Sequence, residues 1–91
     1  MENITLQNTF GNYEHFCHHL VHEVFKSHDL FDELENIEEI DVESDFSRRI
    51  FLNTKNHGYT IRMWNIHDDD NIVEVEYTLF QKSGDDVVEI L

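Results

Sequence analysis

Four histidines within one predicted helix are the residues whose type and spacing come nearest to a chemical site. His15 and His19, and likewise His18 and His22, are four residues apart, so each pair lies on one face of a helix. Such pairs can bind a transition metal, or gain positive charge below about pH 6.5. A zinc site normally takes further Cys or carboxylate ligands, and the His-Glu-x-x-His motif is absent. We therefore favour a polar helix face, predict no metal site, and keep a metal-responsive module as a third hypothesis.

The sequence contains no recognisable catalytic arrangement. Cys17 falls among the apolar positions of the same helix, which favours a small core residue over a nucleophile. With three glycines the chain has no phosphate-binding loop, and its serines lie in no nucleophile-elbow motif. The acidic run at residues 68–71 lacks the spacing of an EF-hand loop and indicates a turn. The sequence predicts a protein that is not an enzyme and has no catalytic residues and no cofactor.

Charge is the most informative property of the sequence. Twenty Asp and Glu residues against six Lys and Arg give a formal net charge of −14 over 91 residues. A magnitude of about 2–8 is enough to keep a small domain soluble. Nucleic acids, anionic membranes and acidic substrates would be repelled, so a basic protein surface is the favoured partner.

The acidic residues concentrate in one stretch and on one later strand. No Lys or Arg interrupts residues 29–45, and alternate carboxylates on a strand stand about 6.6 Å apart. Duplex DNA carries one negative charge per roughly 1.7 Å of its axis, so carboxylates on strands and helix faces can approximate a phosphate array. A solvated acidic face is the alternative interpretation. The predicted partner-binding residues are Asp29, Asp32, Glu33, Glu35, Glu38, Glu39, Asp41, Glu43, Asp45, Glu74, Glu76 and Trp64.

These residues must be positioned by an α+β fold in a single acidic domain over residues 1–91. An apolar stripe of 3.6-residue period predicts a helix from Asn12, its N-cap, to Lys26, and a second stripe reaches Ile37. Alternating residues then predict strands, joined by turns near residues 55–58, 68–71 and 83–86. We expect an N-terminal helix or helix pair packed on one face of a four- to five-stranded antiparallel meander sheet.

The predicted third strand places Trp64 and Arg62 away from the core. An exposed Trp is a common interface anchor, although a ring packed against a neighbouring element is equally compatible with the pattern. A lone cysteine cannot form an internal disulfide, and the sequence shows no signal peptide and no apolar run long enough to span a bilayer. A cytoplasmic location is therefore expected, in the host cell if the chain is encoded by a phage.

In size, acidity and order of elements the chain resembles the small phage-encoded DNA-mimic inhibitors, and most closely the Arn antirestriction family of the T-even phages. The resemblance spans the whole chain. It implies an inhibitor of a host restriction endonuclease of the McrBC type, acting as a homodimer whose acidic surface imitates duplex DNA. Other acidic inhibitors, including anti-CRISPR proteins, share the same traits.

Two functions therefore follow from the sequence. The first is a DNA-mimicking inhibitor that blocks the DNA-binding surface of a defence nuclease or of another DNA-binding protein. The second is an immunity-type or adaptor protein that binds one basic partner, such as a toxin, through a few anchors such as Trp64.

Overall fold

The computed structural model describes residues 2–7, 12–43 and 48–90, so Asp45 of the predicted site lies outside the described residues. Six strands and two helices occur within these ranges, which confirms the α+β class. Their bounds, in chain order, are β1 (Glu2–Gln7), α1 (Tyr13–Ser27), α2 (Phe31–Glu35), β2 (Ile37–Val42), β3 (Arg49–Thr54), β4 (Gly58–Asp69), β5 (Ile72–Ser83) and β6 (Asp86–Glu89).

The described strands form one antiparallel sheet in the order β1-β5-β4-β3-β2, with β6 paired to β5. Strands β2 to β5 follow the predicted meander. Strand β1 pairs with residues 72–77 of β5 and β6 pairs with residues 80–83, so the two short strands share one edge of β5. The sheet thus has six strands rather than four or five. Strand β1 was not predicted, although Ile4 and Leu6 alternate with polar neighbours and pack towards the core.

Helix α1 covers one face of this sheet, as predicted. The side-chain oxygen of Asn12 accepts a hydrogen bond from the backbone N–H of His15 at 2.9 Å, which caps the first turn. The apolar stripe of α1, which includes the fully buried Cys17, packs onto inward-facing residues of β1, β3, β4 and β5. Phe25 meets the ring of Tyr59 edge-on, with the two ring centroids 5.1 Å apart.

The second predicted helix is shorter than its apolar stripe suggested. Helix α2 ends at Glu35, and Ile37 begins strand β2 instead of closing a helical face. Asp29 takes a positive φ of 59° where the chain turns from α1 into α2. The side-chain amide of Asn36 donates to the carbonyl of Asp32 at 2.7 Å and satisfies one carbonyl of the last turn.

Strands β4 and β5 are both 12 residues long and run the length of the molecule, whose Cα extents are 41 × 23 × 23 Å. Asp70 and Asn71, both at positive φ, form the two-residue turn that joins them. A register shift between Trp64 and His67 marks a β-bulge in β4, where Asn65 also has a positive φ. No helix in the described ranges is both long and apolar enough to cross a membrane.

Candidate functional site

The face of the sheet opposite α1 has no helix packed on it within the described residues, and we call it the open face. Inward-facing Ile40 and Val42 belong to the core layer, so the alternating residues Glu39 and Asp41 of β2 lie on the open face. By the same alternation Val73, Val75 and Tyr77 of β5 are buried. Their neighbours Glu74 and Glu76 therefore also lie on the open face.

The fold thus brings acidic residues from two distant sequence segments onto one surface. Strands β2 and β5 are separated by β3 and β4, so the two strands lie about 14 Å apart across the sheet at the usual strand spacing. Their carboxylates are farther apart than this, because Asp41 lies in the same row as Phe80, four residues along β5 from Glu76. Within each strand, alternate carboxylates stand about 6.6 Å apart. Glu89 of β6 lies in the same cross-strand row as Asp41, on the same face but at the opposite edge of the sheet. The negative charge of the open face therefore lies mainly on the edge strands β2 and β6 and on the segment of β5 that contains Glu74 and Glu76.

The centre of the open face is aromatic and positively charged. We call Arg49, Phe51, Arg62, Trp64 and Phe80 the central patch. Phe51 and Phe80 occupy one cross-strand row with Thr60 between them, while Arg49 and Arg62 are direct partners in the next row. The Arg62 guanidinium carbon lies 5.0 Å from the centroid of the Trp64 ring, and that of Arg49 lies 5.9 Å from the Phe51 ring.

The two arginines differ in their ionic contacts. Arg49 Nε lies 3.6 Å from a carboxylate oxygen of Glu43. For Arg62, no carboxylate of the described residues lies within ion-pair distance. Trp64 is half-buried and points away from the core, as its position in the strand predicted.

The carboxylate of Glu33 is directed into the fold, unlike most of the predicted acids, and its side chain is only 13% exposed. It joins α2 to the β3–β4 hairpin by accepting four hydrogen bonds. The donors are Asn56 Nδ2 and Tyr59 OH, each at 2.7 Å, Thr54 Oγ1 at 2.9 Å and His57 Nδ1 at 3.2 Å. These contacts occupy the carboxylate, so Glu33 acts as an internal tether and offers no free charge to a partner.

The acidity of Glu33 reflects this environment. Burial alone would raise the pKa of its carboxyl group, but the hydrogen bonds from Asn56, Tyr59, Thr54 and His57 outweigh it and lower the pKa to about 2. Burial and the hydrogen bond to Glu33 raise the pKa of Tyr59 to about 12, which keeps its hydroxyl protonated as a donor. The arrangement therefore stabilises a charged Glu33.

The other predicted acids lie outside the open face or at its border. Asp29, Asp32 and Glu35 are exposed around α2, and Glu38 is exposed at the irregularity between β2 and β3. Glu43, beyond the end of β2, is half-buried beside Arg49. Together they extend the negative surface from one edge of the sheet towards the helices.

The four helix histidines differ in their exposure. His15 and His22 are exposed, whereas His18 and His19 are half-buried. His22 Nδ1 lies 2.8 Å from the carbonyl oxygen of His18. Among the described residues no group of three or more His, Cys, Asp or Glu side chains could hold a metal ion. Burial raises the pKa of the Cys17 thiol to about 11, so this cysteine is a core residue rather than a nucleophile.

Four members of the central patch were not in the predicted site: Arg49, Phe51, Arg62 and Phe80. Of these, only Arg62 was already expected to point away from the core. A signal for them exists in the sequence, because Arg49 and Phe51 alternate with the inward-facing Ile50 and Leu52. The alternation assigns a face to each residue but does not say which strands are neighbours. The patch appears only when β3, β4 and β5 are placed side by side.

Comparison of the chain with protein-family models, with curated proteins and with solved structures finds no match.

Proposed function

We propose that the protein is a DNA-mimicking inhibitor that occupies the DNA-binding surface of a host defence nuclease, of the McrBC restriction type, or of another DNA-binding protein. Inhibition is competitive and no reaction is catalysed. The observation that carries the proposal is that Glu39 and Asp41 share with Glu74 and Glu76 one sheet face, on which no helix of the described residues packs. The host cell cytoplasm is the corresponding location.

The dimensions of the molecule support this proposal. Dividing its 41 Å length by 1.7 Å per charge, a duplex of equal length carries roughly 24 phosphates. The chain carries 20 carboxylates over that length. Its charge per unit length is therefore comparable with that of DNA before its six basic residues are counted. A protein surface that attracts phosphates would attract this surface by the same long-range steering.

The rigidity of the acidic array also supports the proposal. Strands β2, β3, β4 and β5 are joined by antiparallel pairing with register shifts near Glu38 and at the β4 bulge, so the backbone positions of their acidic residues are set by the sheet. A partner therefore meets a charge pattern that does not have to be ordered on binding, which lowers the entropic cost of association.

Replacing Glu38, Glu39, Asp41 and Glu43 together by lysine tests the assignment. Each replacement adds two charges, so the formal charge rises from −14 to −6. We expect the variant to lose inhibition of a purified McrBC-type endonuclease, because the β2 edge of the array becomes positive. The measurements are nuclease assays and binding titrations with duplex DNA as competitor. A folded variant that inhibits like the wild type contradicts the assigned surface.

The second candidate function, an immunity-type or adaptor protein for one basic partner, is favoured by the aromatic centre of the open face. Phe51 is 37% exposed there, and buried aromatic anchors dominate many protein interfaces. Trp64→Ala distinguishes the two candidates. An electrostatic mimic should keep most of its affinity after this substitution, whereas an anchor-driven binder should lose about 2 kcal/mol or more.

A further inference from the structure

Arg62 occupies an electrostatic position that the fold itself does not explain. In a chain with 20 carboxylates, its exposed guanidinium meets none of those described within ion-pair distance. Its direct cross-strand partner is Arg49, another cation. Like charges placed opposite each other destabilise a sheet. Two of the six basic residues thus stand opposite each other on the open face, and of the two only Arg49 has a described carboxylate, that of Glu43, within ion-pair distance.

The central patch holds these arginines in place. The Arg62 guanidinium lies over the Trp64 ring and that of Arg49 over the Phe51 ring, at the distances given above. Thr78, the other cross-strand partner of Arg62, is only 2% exposed although it lies on the open face, so the surface beside Arg62 is closely packed. A guanidinium stacked on a ring keeps its N–H donors at its edge, directed away from the ring. The patch therefore presents preorganised donors for an anionic group.

We propose that Arg62, with Arg49 beside it, binds a carboxylate group of the target protein at the centre of the interface, while the surrounding acids bind the target's basic surface. This inference rests on the proposed function and adds the chemistry of the partner. Enzymes that cut phosphodiester bonds hold their metal ions with carboxylates. A DNA-cutting target thus has acidic groups within a basic surface, the inverse of the pattern on the open face.

A nucleic-acid phosphate fits the patch less well than a protein carboxylate does. Asp41, Glu74 and Glu76 lie around the patch on the same face, and the net charge of −14 repels a polyanion over the whole approach. A protein target carries its carboxylate inside a basic surface that these acids attract. A protein partner therefore supplies both a carboxylate for Arg62 and a basic surface for the surrounding acids.

The test compares the affinity of a purified McrBC-type endonuclease for the wild type and for variants of Arg62, at one fixed ionic strength. Arg62→Glu should weaken binding by about tenfold or more, since it places two carboxylates together in a desolvated contact. Arg62→Met keeps an apolar stem on Trp64 and should weaken binding several-fold. The control is Lys26→Glu, which makes the same change of charge on the last turn of α1, away from the open face.

Under the proposal, the control substitution should not weaken binding as Arg62→Glu does. Lys26→Glu makes the chain more acidic and should leave affinity unchanged or raise it. If Arg62→Glu also binds as tightly as the wild type or more tightly, only negative charge is recognised and the inference is wrong, while the proposed function stands. If the wild type does not bind the endonuclease at all, the McrBC-type form of the proposed function fails and the inference fails with it.

A second measurement separates protein from nucleic acid as the occupant. Fluorescence anisotropy with a labelled single-stranded oligonucleotide should show no binding that depends on Arg62. Binding that Arg62→Met abolishes would make the patch a base-stacking platform and would overturn the inference. Circular dichroism and urea denaturation of each variant verify that it folds.

Discussion

Glu33 and Glu35 stand two residues apart in α2 and have different physical roles. Glu35 is exposed, whereas Glu33 is bound by four donors of the β3–β4 hairpin. A carboxylate that is better stabilised in the folded state than in the unfolded chain contributes to stability only while it is ionised. Glu33 therefore couples the docking of α2 to pH.

The pH dependence of this contribution can be given a direction. The pKa of Glu33 falls from an ordinary 4.5 to about 2 on folding. Its stabilisation is therefore present above about pH 4.5 and is lost as the pH falls towards 2. The size of the shift corresponds to a contribution on the order of 3 kcal/mol at neutral pH.

Glu33→Gln should lower the free energy of unfolding by about 2–3 kcal/mol at pH 7, because the amide leaves several buried donors without their anionic acceptor. Urea denaturation at pH 7 and at pH 3 measures the effect, and the difference between variant and wild type should shrink at the lower pH. Glu35→Gln is the matched control for loss of one negative charge. A Glu33 variant as stable as this control would show that the tether contributes nothing.

Some residue roles could be predicted from the sequence and others could not. Outward-facing Glu39, Asp41 and Trp64 follow from strand alternation alone. The tether role of Glu33 could not be predicted, since its four partners lie 21 to 26 residues away in the sequence. Within a run of acidic residues, the local sequence does not indicate which carboxylate a distant hairpin will bind.

Helix α1 is the element that closes the core, and its N-terminus depends on one side chain. Asn12→Ala should lower the free energy of unfolding by about 1 kcal/mol, because the N–H of His15 loses its acceptor. Chemical denaturation measures this loss, and faster hydrogen exchange at the His15 amide locates it. Asn12→Asp keeps an acceptor at the same place and should behave like the wild type. Equal destabilisation by both substitutions would contradict the capping role.

At the element scale the predictable part of the fold is the part with strong local patterns. The apolar stripe gave α1, and alternation with turn residues gave β3, β4 and β5. Strand β1 carries a short local alternation at Ile4 and Leu6 but was not predicted, and its pairing with β5, some 70 residues later, has no local signal. The second helix was overextended because Ile37 suits both a helical stripe and an inward strand position.

The whole molecule combines a small core with a large excess of one charge. Sixteen apolar residues are buried in the described core. The net charge of −14 opposes folding, because the excess negative charges repel one another in any compact state. Salt screens this repulsion within the folded chain. It also screens the attraction between the chain and a basic partner.

Added salt should therefore act on stability and on affinity with opposite signs. Raising NaCl from about 20 mM to about 500 mM should raise the melting temperature by screening self-repulsion. The same change should weaken binding to a DNA-binding target steeply, as it does for DNA. Thermal melts and binding titrations in one salt series measure both. The quadruple lysine variant, at −6, should show a smaller rise in melting temperature. Parallel responses of the two proteins would contradict this account.

The bulge at Asn65 has a consequence for how β4 alternates. Before it, the odd-numbered Ile61 and Met63 face the core; after it, the even-numbered Ile66 does. One extra residue has reversed the parity of the strand, so Trp64 and His67 share a side despite their odd separation. Without that reversal, Ile66 would face the open side of the sheet and His67 would face the core side. A single inserted residue thus keeps the two ends of a 12-residue strand in phase with one core.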